Sequence, residues 1–226
     1  MTIINHPSPN FDERSRDIDM AILHYTGMRS GEEALARLCD EAAKVSAHYL
    51  VEEDGRVFQL VDEENRAWHA GVASWRGEAD VNARSIGIEI VNPGHEFGYR
   101  DFPEVQIDAV VALLAGITER RRIDPRRVLA HSDVAPERKE DPGEKFPWAR
   151  LAAEGLAIAP YDGEGDSAIA YEEALAALSA IGYRAPPGAH AAALLAFQRR
   201  FCPASLGQGF DAKTKAALIS INRSFK

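Results

Sequence analysis

The sequence predicts an α/β domain followed by a small all-α module of three helices. Short apolar runs of strand type recur at residues 18–25, 85–91 and 128–131, with helical apolar stripes between them. Composition then shifts near residues 160–166, where Pro160-Tyr161-Asp162-Gly163-Glu164-Gly165 reads as a linker, and only helix-type segments follow. The 226 residues suit one core of about 150 residues with a satellite.

Taken in order, a proline-rich lead at residues 6–10 precedes the first strand, residues 18–25, which ends in the polar group His24-Tyr25-Thr26. Polar residues at the end of an apolar strand are what a site requires. Ser30 is placed to cap a helix that starts with Glu32 in its first turn and runs through Ala42. Residues 48–53 and 57–61 flank Asp54-Gly55, which is hairpin turn chemistry. Residues 62–84 read as loop and carry Trp68-His69-Ala70-Gly71 and Trp75. The strand at residues 85–91 holds one acid, Glu89, in an otherwise apolar run. A helical stripe covers residues 103–122, and Val128-Leu129-Ala130-His131 makes a short strand that again ends in His. After an irregular stretch to Trp148 and the linker come helices at residues 171–181 and 190–201, separated by Gly182-Tyr183 and Pro186-Pro187-Gly188. A third starts at Asp211 as cap and runs to Ile221.

Composition excludes several classes of function. Lys plus Arg number 26 against 35 Asp plus Glu, a net charge of −9, so a surface that tracks nucleic-acid phosphates is not expected. The local groups at residues 120–122 and Arg199-Arg200 read as solvated helix faces. Cys39 and Cys202 are far apart and outside any Cys-x-x-Cys pair, which suggests buried thiols. No apolar run approaches the roughly 20 residues of a membrane span. The first twenty residues lack the apolar core of a secretory signal. A cytoplasmic protein is therefore expected, or a periplasmic one if an export signal has been removed. The sequence leaves the oligomeric state open.

Two strands end in His24 and His131, and Asp141 follows ten residues after the second. A His, His, carboxylate set leaves a fourth position open on zinc, which is the catalytic rather than the structural arrangement. The spacing alone also allows structural strand-end histidines. Glu89 has two readings: a proton relay beside an activated water, or a carboxylate that meets solvent or a partner such as Arg84. Lys139 either faces a developing oxyanion or is one of the surface charges in Glu137-Arg138-Lys139-Glu140-Asp141. Trp68, His69 and Trp75 could wall a cleft or cap the core edge. His48 reads as a buried, hydrogen-bonded histidine.

Six blocks, taken together and in order over about residues 5 to 150, carry a resemblance. They are residues 8–14 (Ser-Pro-Asn-Phe-Asp-Glu-Arg), Leu23-His24-Tyr25-Thr26, Ser46-Ala47-His48-Tyr49, Ala67-Trp68-His69-Ala70-Gly71, Asn82 with Ser85-Ile86-Gly87-Ile88-Glu89, and His131-Ser132-Asp133-Val134-Ala135-Pro136 continuing through Arg138-Lys139-Glu140-Asp141-Pro142-Gly143. In these blocks the chain resembles the zinc-dependent N-acetylmuramoyl-L-alanine amidases related to AmpD. The resemblance implies a mixed β-sheet flanked by helices, one Zn²⁺ per chain on His24, His131 and Asp141, Glu89 as the catalytic acid and base, and Lys139 as the oxyanion stabiliser. It implies cleavage of the amide between N-acetylmuramic acid and L-alanine of the stem peptide, with 1,6-anhydro-muropeptides of wall recycling as the expected substrate. Tyr25, Trp68, His69, Asn82 and Arg84 are the candidates for substrate contact, the arginine making an acidic protein's cleft locally positive.

The tail, with Ala196-Phe197-Gln198-Arg199-Arg200-Phe201 and Gly209-Phe210-Asp211 before Thr214, is similar to a peptidoglycan-binding module. The expected division is a catalytic domain at residues 1–158, a linker at 159–165 and the helical module at 166–226. The competing expectations are an exported amidase acting on intact wall and a recognition protein that binds wall fragments without cutting them. Recognition proteins of this kind usually lack one metal ligand, and all three are present here.

Overall fold

The computed structural model describes residues 2–163, 168–184 and 190–226. Residues 164–167, where the expected linker meets the module, and Pro186-Pro187-Gly188 lie outside the described residues. The strands are β1 (Ile3–Asn5), β2 (Phe11–Glu13), β3 (Met20–Tyr25), β4 (Tyr49–Val51), β5 (Val57–Gln59), β6 (Asn65–Ala67), β7 (Ser74–Trp75), β8 (Glu78–Ala79), β9 (Ser85–Ile90) and β10 (Val128–Ala130). The helices are α1 (Gly31–Leu38), α2 (Val81–Arg84), α3 (Gly94–Phe97), α4 (Glu104–Arg121), α5 (His131–Val134), α6 (Trp148–Ala153), α7 (Tyr171–Ile181), α8 (His190–Phe201) and α9 (Ala212–Ser224).

The main sheet has the order β1-β5-β4-β9-β3-β10. Every neighbour pair is parallel except the β4–β5 hairpin, so the sheet is mixed, as expected. Its two central strands, β3 and β9, are buried on both faces, which is why both read as near-continuous apolar runs. Ala21, Leu23, Ile86, Ile88 and Ile90 turn to one face and pack under Ile107, Val110, Leu113, Leu114 and Ile117 of α4, with Trp148 and Leu151 of α6. The opposite face is covered in two parts. On the β4–β5 side, Leu50 and Phe58 meet Ala34 and Leu38 of α1. On the β3–β10 side, Met20, Ile22 and Leu129 share one core with Ala177, Leu178, Phe197, Phe201 and Leu218 of the C-terminal helices.

Several expectations need correction. The helix begun at Ser30, whose Oγ accepts from the Glu33 amide, ends at Leu38 rather than Ala42. Asp40 stops it by capping a separate 3₁₀ turn, accepting from the Ala42 amide. Residues 62–84 are not plain loop: β6, β7, β8 and α2 occupy them in pieces too short to show a period. The strands β1 and β2 within the lead went unread for the same reason. The last strand ends at Ala130, and His131 instead opens α5.

Arg199 and Arg200 do not form a solvated face. Arg200 is buried against Asp133, donates to the Val128 carbonyl at 2.9 Å, and lies over the Trp148 ring. The Tyr183 hydroxyl donates to the other oxygen of Asp133 at 2.5 Å. Asp133 also accepts from the Ala130 amide, the residue before His131. Trp75 packs edge-on against Tyr183 and Phe225, so it belongs to this shared core and not to a cleft wall. Arg76 adds hydrogen bonds to the Ile181 and Phe225 carbonyls. Among the described residues no helix is long and apolar enough to cross a membrane.

Two stability outcomes follow from these buried charges. Arg200→Met leaves the Asp133 carboxylate without its counter-charge and is expected to lower unfolding free energy in urea by about 3–5 kcal/mol; a loss below about 1 kcal/mol would contradict the pairing. Glu63 accepts from Tyr49, Arg120 and Arg121, and although burial opposes its ionisation these partners hold its pKa at about 2, below the ordinary 4.5. Because the folded value is depressed, this stability is present above pH 4.5 and lost as pH falls toward 2. The stability difference between the wild type and Glu63→Gln should therefore shrink across that window in acid titrations of the urea midpoint.

Candidate metal and active site

The parallel register of β3 and β9 sets His24 directly opposite Glu89. Both side chains stand on the sheet face shared with Met20 and Ile22, in the gap between α1 and the C-terminal helices, because residues two apart on a strand share a face. His131 is delivered to the same point from the neighbouring strand end, where Asp133 ties down the turn through the Ala130 amide. Asp141 is brought back by its own carbonyl, which accepts from the Ser132 amide at 3.0 Å.

Three side-chain atoms converge: His24 Nδ1 and His131 Nδ1 are 2.9 Å apart, and Asp141 Oδ2 is 3.0 Å from each. All three residues are buried. The His131 Nε2 lies 3.0 Å from the Ala70 carbonyl, which can only accept, so the proton sits on Nε2 and Nδ1 presents a lone pair. That lone pair faces the Asp141 carboxylate, and two acceptors at 3.0 Å repel unless positive charge lies among them. Two imidazoles and one carboxylate, with the open cleft on the remaining side, fit a divalent cation with a free position for water or substrate. Second contacts of this kind, from ligand to backbone carbonyl, orient metal-binding histidines.

The electrostatics agree with buried, convergent ligands. Burial, reinforced by His131, pushes the His24 pKa down to about 4. Glu89 is driven the other way: burial, and then the Asp141 charge, raise it well above the ordinary carboxylate, with Lys139 opposing. Among the described residues Glu89 Oε2 has no hydrogen-bond partner.

These groups form the floor of a cleft of about 600 Å³. Tyr25 and Trp68 line it, Tyr25 oriented by His95 at 3.0 Å and Trp68 by a 2.7 Å hydrogen bond from Nε1 to Asp12. His69 also reaches the cleft wall, but both of its ring nitrogens are engaged inside the protein, with His24 and with Ser85. Asn82 lies away from the cleft; its Oδ1 accepts from the His69 and Ala70 amides and so shapes the loop on which His131 leans. Arg84 is also elsewhere, paired with Asp19 and Glu78 near Arg14 and Glu64. The cations that do line the cleft beside Lys139 are Arg29, Arg37 and Arg138. Arg29 covers the Phe97 ring at 4.5 Å, and Arg138 donates to the Ala70 and Val72 carbonyls. No motif singled out Arg29 or Arg37, which flank and belong to an ordinary amphipathic helix; only the fold turns them inward.

Comparison with known proteins agrees with this geometry. Over 155 residues the chain is 40% identical to the N-acetylmuramoyl-L-alanine amidase AmiD of Escherichia coli, covering 63% of this chain and 55% of that protein. It is 43% identical over 110 residues to the 1,6-anhydro-N-acetylmuramyl-L-alanine amidase AmpD of Citrobacter freundii, covering 49% of this chain and 57% of the relative. The chain thus spans little more than half the length of these two curated relatives. Among solved structures, it is similar to E. coli AmiD in complex with the substrate anhydro-N-acetylmuramic acid-L-Ala-D-gamma-Glu-L-Lys, with a TM-score of 0.83, 32% identity, and coverage of 94% of this chain and 92% of that one. It is equally similar to Pseudomonas aeruginosa AmpDH3 in complex with anhydromuramic pentapeptide, with a TM-score of 0.83, 32% identity and coverage of 96% and 95%. Residues 14–144, more than half of the chain and the segment that holds His24, Glu89, His131, Lys139 and Asp141, match the N-acetylmuramoyl-L-alanine amidase family, and the chain belongs to it.

Proposed function

We propose that the chain is a zinc-dependent hydrolase that cleaves the amide between N-acetylmuramic acid, in its 1,6-anhydro form, and L-alanine of peptidoglycan stem peptides, in cell-wall recycling. The observation that carries this reading is the convergence of His24, His131 and Asp141 beside Glu89 on the floor of one cleft. Support for the substrate comes from the two solved relatives whose complexes hold anhydro-muropeptides. Cytoplasmic residence belongs to the same reading and is checked by cell fractionation.

His24, His131 and Asp141 would hold one Zn²⁺, an ion suited to a mixed nitrogen and oxygen set with an open position. When bound, the ion supplies Lewis acidity at the scissile carbonyl and acidifies water. Glu89, as carboxylate on the cleft lining, takes a proton from the attacking water. The water oxygen bonds to the carbonyl carbon, and Glu89 returns the proton to the alanine nitrogen as the C–N bond breaks. Lys139 sets its ammonium toward the oxygen that gains charge in the tetrahedral state. Arg29, Arg37 and Arg138 line a cleft that also carries Glu33, Glu96 and Glu140, and they are the groups that would meet the carboxylates of the stem peptide.

The same reading divides the chain into a catalytic domain at residues 1–158, a linker at 159–165 and a helical module at 166–226. The module acts as a brace, a role supported by the Asp133 pairing with Arg200 and Tyr183 and by the shared core.

Hydrolysis of an anhydro-muropeptide, followed by mass spectrometry of the released stem peptide, tests the proposal. Glu89→Gln is expected to keep bound zinc and lose about 10²- to 10⁴-fold in kcat. Lys139→Met is expected to lose about 10²- to 10³-fold, also with zinc retained. Full activity of Glu89→Gln would sink the proton relay, and binding of the muropeptide without release of peptide would make the protein a recognition module. Removing metal with a chelator should abolish turnover, and one equivalent of Zn²⁺ per chain should restore it.

A further inference from the structure

We infer that His69 and Ser85 form a one-way hydrogen-bond relay that fixes the tautomer of His24 and so presents its Nδ1 as a lone pair toward the metal position. His69 is then a positioning residue behind the site rather than a substrate contact. The inference rests on the metal-site reading given above.

The direction of the relay starts at its far end. Ser85 Oγ lies 2.6 Å from the Val81 carbonyl oxygen. A carbonyl cannot donate, and two oxygens at that distance repel without a proton between them, so the serine hydroxyl proton is spent on Val81. Ser85 Oγ therefore accepts from its other neighbour, His69 Nε2, at 3.1 Å. His69 is buried, its ring partners are an imidazole and a hydroxyl, and among the described residues no carboxylate pairs with it, so it carries a single proton. With its single proton on Nε2, His69 Nδ1 can only accept. Its partner at 3.0 Å is His24 Nε2, which must carry the His24 proton. His24 Nδ1 is left unprotonated, facing His131 Nδ1 and Asp141 Oδ2.

The strand β9 is built to hold this relay. Ser85, Gly87 and Glu89 alternate on one face, and the register sets them opposite Met20, Ile22 and His24 of β3. The His69 ring lies across Gly87, where an added Cβ would come 2.4 Å from His69 Cγ. Only glycine leaves room for the ring at that point. One face of one strand thus carries the relay acceptor, the space for the relay ring and the acid that opens onto the cleft. The Asn82 side chain holds the His69 and Ala70 amides, which fixes where the ring enters.

Long-range ¹H–¹⁵N correlation on zinc-loaded wild-type protein at about pH 8, where unperturbed imidazoles are neutral, reads the tautomers directly. The expected result is Nε2–H on both His24 and His69; an Nδ1–H form of His24 overturns the inference. In chelator competition, His69→Leu, which has no acceptor for His24, is expected to bind Zn²⁺ about 10- to 100-fold more weakly. His69→Asn, whose Oδ1 stands near the place of Nδ1, should recover most of that loss. Wild-type zinc affinity in a natively folded His69→Leu overturns the relay, as does a loss in His69→Asn equal to that in His69→Leu. The tautomer measurement needs no variant to fold. A wild-type chain that takes up no zinc refutes the function proposed above, whereas one that takes up zinc with the His69 proton on Nδ1 refutes the relay alone.

Discussion

The structure depends on one register. Two parallel strands at the centre of the sheet, each apolar along almost its whole length, place a histidine and a glutamate side by side on a buried face. Neither group would be stable there alone, since an unpaired buried charge costs several kcal/mol. Everything around the pair answers that cost. Asp141 and His131 converge on His24, and the loop from Trp68 to Ala70 supplies the backbone carbonyl and the imidazole that engage the outward nitrogens. Glu89 lines the cleft, and its Oε2 is buried without a hydrogen-bond partner among the described residues.

The charge lining the cleft differs from that of the chain as a whole. The excess of carboxylates over the whole sequence says little about a concave site with low-dielectric walls, where nearby charges dominate. Arg29, Arg37, Arg138 and Lys139 line this cleft together with Glu33, Glu96 and Glu140. Arg29 and Arg138 have further structural contacts, with the Phe97 ring and with loop carbonyls. Those contacts restrict side chains that would otherwise lose much rotamer freedom on meeting a ligand.

Much of this was legible in the sequence where a residue broke its own local pattern. Glu89 interrupts a β-branched run, and His24 and His131 follow apolar strands, so each demanded an explanation before any fold was in view. What was illegible depended on long-range direction. Asn82 and Arg84 lie within a few residues of Glu89 in sequence, yet one turns its amide to a loop and the other pairs with Asp19 on another surface. Arg199 and Arg200 look like solvent-facing charges on a helix until the partners Glu140 and Asp133 are supplied from elsewhere in the chain. Trp75 stays open between a cleft wall and the core edge in the sequence, because an aromatic in a loop carries no mark of which side it will face. Strands of two or three residues are too short to show any period at all.

Asp133 has a consequence beyond stability. One carboxylate is gripped by Arg200 and Tyr183 from the C-terminal helices and by the amide that immediately precedes His131. The seat of the helices and the aim of a metal-facing imidazole therefore share a single anchor. Thermodynamic coupling between two such events is reciprocal. Whatever free energy a bound cation contributes to keeping His131 in place also favours the docked helices, and a ligand that pulled on those helices would be felt at the metal. The C-terminal helices thus bear on the candidate site through Asp133, from outside its cleft.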